Sequence, residues 1–64
     1  MKISIKENSI WKYTTGQEYE VIHLANEAST NPKYPIMVIY EGKNKETWCK
    51  DLNSFLATMT FVKN

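Results

Sequence analysis

TWCKDLNSFLATMTF, residues 47–61, changes its period twice. Its opening, with Glu46 in front, alternates as a strand does. Asp51 then stands where a helix N-cap belongs, and Leu52, Phe55 and Leu56 follow at the 0, 3, 4 spacing that gathers them on one helical face. From Thr58 the chain returns to strand-like residues, TMTFVK. One or two helical turns therefore separate the last two strands.

Upstream, the same two-residue period recurs in short pieces. KISIK (2–6) sets Ile3 and Ile5 against Lys2, Ser4 and Lys6, the pattern of a half-buried strand. Glu7 and Asn8 read as a turn and SIWKYT (9–14) as a second strand. TTGQ (14–17) is a loop in which Gly16 is free to take positive φ. EYEVIHLAN (18–26) is the longest β segment. Its apolar positions are 19 and 21 and then, out of phase, 22 and 24, which predicts a β-bulge or a sharp bend.

EASTNPKYP (27–35) holds both prolines and reads as the one extended loop. IMVIYE (36–41) follows with apolar side chains on both faces, Ile36, Val38 and Tyr40 on one and Met37 and Ile39 on the other. Residues 42–45 form the next turn. The succession predicts a mostly β domain spanning 1–64: a small SH3-like barrel of five to six short antiparallel strands, with one helical turn before the last. An OB-like barrel would need a longer helix between its third and fourth strands. Residues 41–48 show no helical period.

A chain of 64 residues buries only ~60% of its unfolded surface. Large rings compensate, since each removes roughly 150–250 Å² from water. Trp11, Trp48, Tyr19, Tyr40, Phe55 and Phe61 are the rings expected to build the core in place of metal or disulfide. Among them Tyr19, Trp48, Phe55 and Phe61 are the better core candidates, because each sits among apolar neighbours at the expected period. Trp11, Tyr13, Tyr34 and Tyr40 are the ones that could line an exposed groove.

All eight basic residues are lysine, against seven acidic ones, for a net charge of +1. Arginine, whose planar fork grips phosphate and guanine, is absent, which disfavours strong or base-specific nucleic-acid binding. Lys43, Lys45 and Lys50 could still form a local basic patch. Glu18, Glu20, Glu27, Glu41 and Glu46 fall at strand ends and outward positions, where they solvate and protect edges. A coding sequence rich in Lys, Asn and Ile and devoid of Arg fits an AT-rich genome, a habit of some phages and mobile elements.

One cysteine permits no internal disulfide, and the amino terminus carries no apolar run long enough for a signal peptide or a span. A cytoplasmic location is expected. Chemistry is scarce. Cys49 and His23 could be written as a nucleophile pair, but Cys49 reads as a small strand residue. Zinc would need about four suitable ligands. Gly16 and Gly42 stand too far apart for a phosphate loop. No enzyme activity, metal or cofactor is expected.

The ordered set of residues resembles the DUF1653 domain family. WKYTTGQEYEV is similar to the family's opening through Trp11, Lys12, Gly16, Tyr19, Glu20, Val21 and, further on, Ala25. MVIY is similar to its Val-Val-Tyr strand, and WCKDLNSF to its Trp-Val-Arg-Pro-Leu-x-x-Phe segment through Trp48, Leu52 and Phe55. The likeness covers residues 9–59. It departs from the pattern at Tyr13, where the family has histidine, and at Lys50 and Asp51, where it has Arg-Pro. EASTNPKYP replaces the family's acidic loop. The resemblance implies a compact β domain of unassigned activity.

The expectation that follows is a small non-catalytic interaction protein, a phage or mobile-element modulator of a host factor. It would bind a larger protein through Trp11, Tyr13, Tyr34 and Tyr40, rimmed by Lys43, Lys45 and Lys50. The alternative is a nucleic-acid-binding barrel that uses the same lysines for phosphates and exposed rings for stacking. A homodimer that buries IMVIYE between two copies is the third reading.

Overall fold

A computed structural model describes residues 5–64. Five strands, β1 (Ile10–Tyr13), β2 (Glu18–Ala25), β3 (Met37–Glu41), β4 (Thr47–Asp51) and β5 (Met59–Lys63), form one sheet in the order β4-β3-β2-β1-β5. Every pairing is antiparallel. The helix α1 (Leu52–Thr58) carries the chain from β4 at one end of the sheet to β5 at the other. The mostly β class, the antiparallel strands and the short helix before the last strand all agree with the sequence reading. KISIK falls largely outside the described residues; Ile5 is buried.

The predicted phase change in β2 is a bulge. Register with β3 shifts between Val21 and His23, so that Val21 faces Tyr40 and Leu24 faces Val38. Ile22 and His23 both stay exposed while Val21 is fully buried and Leu24 packs on the core. An extra residue on one strand bends it and sharpens its twist. The sheet is curled. In a flat sheet β4 and β1 would lie about 14 Å apart, three strand spacings. Yet the ammonium of Lys50 on β4 lies 4.7 Å from the ring centroid of Tyr13 on β1.

Turn chemistry fixes the connections. Gly16, at φ +92°, closes the β1–β2 turn through a bond from its N–H to the Tyr13 carbonyl. Asn8 and Lys45 also take positive φ. Ser9 is almost fully buried, and its hydroxyl donates to the Lys6 carbonyl while accepting the Trp11 indole N–H at 2.9 Å. A buried indole therefore leaves no orphan donor.

The core is Ile5, Trp11, Val21, Val38, Tyr40, Phe55 and Met59. Phe55 is its centre: the ring is fully buried, with edge-to-face contacts to Trp11 at 5.1 Å and Tyr40 at 5.5 Å. Leu52 and Leu56 pack beside it, as the 0, 3, 4 spacing predicted. Two expected core rings are displaced from it. Trp48 and Phe61 are each 49% exposed. Each lies directly opposite a buried ring, Trp48 opposite Tyr40 and Phe61 opposite Trp11. They occupy the inward face, but on the terminal strands β4 and β5, where no further strand covers their outer side.

Asp51 ends β4 and caps α1. Its carboxylate accepts the Ser54 N–H at 3.0 Å and the Ser54 hydroxyl at 2.7 Å. Those two bonds hold the Asp51 carboxyl below its ordinary pKa. A depressed carboxylate pKa contributes stability above the unfolded value and loses it as pH falls through the folded value. Asp51→Ala should therefore lower the melting temperature at neutral pH. Its deficit against the parent chain should shrink as the buffer is taken below the ordinary carboxylate range. A deficit that stays constant with pH in thermal melts would mean that the cap charge is not what is lost.

Candidate functional site

The curled sheet gathers rings at one mouth. Tyr13 of β1, Tyr19 of β2, Tyr40 of β3 and Trp48 of β4 line a hollow of about 240 Å³ together with Lys50 and Met59. Each ring comes from a different strand, so the backbone ladder fixes their spacing. Tyr19 and Tyr40 meet edge to face at 5.3 Å. Tyr40 is buried at the base, Tyr13 and Tyr19 are half-buried, and Trp48 stands in water. Gly42 allows this closeness, because a Cβ there would come within 3.1 Å of the Tyr19 ring.

Lys50 is the groove's one charge. It lies inward beside Val38 in register and is half-buried. Its ammonium donates to the Thr58 hydroxyl at 2.9 Å, and that hydroxyl in turn donates to the Ser54 carbonyl at 2.8 Å. Among the described residues no carboxylate lies within ion-pair distance of it. The ring of Tyr13 and the hydroxyl of Thr58 therefore hold a cation that is not neutralised. Burial, and then the neighbouring Tyr19, Tyr13 and Cys49, push the Tyr40 phenol above its ordinary pKa. It remains a neutral hydroxyl at physiological pH.

A second hollow, about 230 Å³, shares Tyr19 as a wall and is lined by Glu18, Glu20 and Glu41 with Lys43 and Lys45. Glu20 and Glu41 face each other directly across β2 and β3. Lys45 reaches Glu41 at 3.8 Å but is 84% exposed, a surface pair of little energetic weight.

The structure divides the residues expected to contact a partner. Tyr13, Tyr40 and Lys50 come together in the groove. Trp11 does not join them: it is buried, with its N–H spent on Ser9, because it lies opposite Tyr19 and under Phe61 in the middle of the sheet. Tyr34 is 60% exposed in the loop before β3 and lines neither hollow. Lys43 and Lys45 face the glutamates, so they do not share one basic patch with Lys50. Tyr19, Trp48 and Met59 were not expected in the groove. The signal for Trp48 was its place on the strand next to the helix crossover, which is necessarily an end strand when β5 returns to β1.

His23 and Cys49 do not meet. Both flank Ile39 in register, one from β2 and one from β4, two strand spacings or about 10 Å apart. His23 instead lies 2.9 Å from Glu7. Among the described residues no group of three His, Cys, Asp or Glu side chains could hold a metal ion, and no helix is long and apolar enough to cross a membrane.

Comparisons with protein-family models, curated proteins and solved structures return no match. The resemblance to DUF1653 is carried by the sequence alone. Of the residues that carry it, Tyr19, Tyr40 and Trp48 line the groove; Tyr13 and Lys50, where the sequence departs from the family's pattern, line it too. Two of its departures, Tyr13 for histidine and Lys50 for arginine, are in direct contact.

Proposed function

We propose that this chain is a non-catalytic interaction protein, an SH3-like small barrel of the DUF1653 kind, which binds a larger protein partner through the aromatic groove. The observation that carries the reading is Trp48. A large ring left half in water beside Tyr13, Tyr19 and Lys50 forms an apolar patch with a polar rim on a rigid sheet, the usual composition of a binding hot spot. The compositional habit supports a phage or mobile-element modulator acting on a host factor in the cytoplasm.

The nucleic-acid alternative asks for a track of cations beside stacking rings. Lys43 and Lys45 sit among three glutamates, which would repel a phosphate backbone. The homodimer reading would bury the second face of β3, Met37 and Ile39, against another copy; β3 is paired on both sides by β2 and β4, so a second copy could meet it through that face and not through its backbone.

The test is capture from host lysate with tagged protein, with and without nuclease. A specific protein band that survives nuclease and persists, with slower association, when Lys43 and Lys45 are replaced by Gln is the expected result. Submicromolar oligonucleotide binding with a steep salt dependence, flattened when Lys43, Lys45 and Lys50 are all replaced by Gln, would establish the alternative instead.

A further inference from the structure

We infer that the groove recognises an acidic side chain of the partner, an Asp or Glu next to an apolar residue, with the carboxylate on Lys50 and the apolar neighbour against Trp48 and Tyr19. This rests on the protein-binding reading and names the chemistry of the partner.

Lys50 is half-buried. A half-buried ammonium has three donors to place. One goes to Thr58, and the Tyr13 ring takes up part of the charge through its face. No carboxylate of the described residues neutralises it, although six glutamates are present in the chain. The groups around it are of one kind. The hydroxyls of Tyr13, Tyr19 and Tyr40 and the Trp48 indole N–H can all donate, and the groove contains no acidic side chain. A hollow that is apolar on its walls and presents donors with one positive charge complements an anion carried on an apolar stem.

Carboxylate fits better than phosphate. At about 240 Å³ the hollow lies below the ~300–1,000 Å³ of sites that engulf a cofactor-sized ligand. A single cation cannot track a polynucleotide, and the neighbouring hollow carries Glu18, Glu20 and Glu41. Those glutamates also set a direction along a bound segment. The residue beyond Tyr19 must be neutral or basic, while the one at Lys50 is acidic.

The probes are two capped dipeptides, acetyl-Glu-Phe-amide and acetyl-Gln-Phe-amide, and a short oligothymidylate, each titrated into the isotope-labelled full chain at physiological salt. The Glu peptide is expected to shift the Trp48 indole and the Lys50 and Thr58 amides, and to bind about tenfold more tightly than the Gln peptide, the factor for one charge-assisted hydrogen bond. Lys50→Met keeps the stem and should erase that difference while the Phe contact with Trp48 survives. Equal shifts from both peptides on the parent chain would overturn the carboxylate assignment and leave the protein-binding groove standing. No groove shift from either peptide would overturn both. Tighter groove binding by the oligothymidylate than by the Glu peptide would also overturn both and favour nucleic acid. The Glu–Gln comparison uses the unaltered chain, so it decides the matter even if the Lys50 variant is unstable.

Discussion

Phe55→Ala should leave the chain unfolded. Phe55 is fully buried, touches Trp11 and Tyr40 edge to face, and is the side chain by which α1 plugs the curled sheet. Truncating a buried Phe costs ~3–5 kcal/mol, since the apolar contacts vanish and the cavity does not close. A domain of this size has a total of about 5 kcal/mol to lose. The change also removes the only buried residue of α1. With Leu52 and Leu56 only partly covered, the helix keeps little to dock it. Far-ultraviolet dichroism and a thermal scan are the measurements. A cooperative transition within a few degrees of the parent would show that the sheet is stable without its plug and that Phe55 is not the centre of the core.

How far this core was legible in the sequence depends on which residue is asked about. Phe55 was legible because its evidence is local: a cap residue and a 0, 3, 4 spacing lie within six positions of it. The β2 bulge was legible for the same reason, as a slip of period inside one strand. Trp48 and Phe61 were misjudged because period gives the face and not the depth. Both do point inward, opposite Tyr40 and Trp11. What exposes them is the order of the strands, and strand order is set by the non-local return of β5 to β1. Trp11 reads in sequence both as a core ring and as a groove candidate, and the structure places it in the core. What decides between the two is non-local: β1 is paired on both sides, by β2 and β5, and Ser9 satisfies the indole from two residues away.

The groove follows the same division. Tyr13, Tyr40 and Lys50 could be singled out by residue type, yet nothing in sequence places position 50 over position 13. That contact exists because the sheet bends until its fourth and first strands face each other. Residues far apart in the chain meet here only through the curl of the sheet, so a site made by that curl is the part of a small β domain that a linear reading sees least.

Trp48→Ala follows from this and runs opposite to what its apolar neighbourhood in sequence suggests: the chain should fold and binding should fail. Half of the ring is already in water, so its removal forfeits a cross-strand contact with Tyr40, worth roughly 0.2–1 kcal/mol, and leaves Phe55 and Val38 covered. The effect on binding should be larger. A Trp at the mouth of a groove is a typical anchor, and truncating such an anchor costs about 2 kcal/mol or more, a weakening of about thirtyfold or greater in Kd. The loss should appear as faster dissociation, because the ring contributes contact and no long-range attraction. Thermal melts of the variant and surface-plasmon measurements against the captured partner decide it together. A variant that does not fold would return Trp48 to the core. A folded variant with unchanged dissociation would remove the groove from the partner's footprint and place the interface elsewhere, with the exposed Tyr34 the next ring to test.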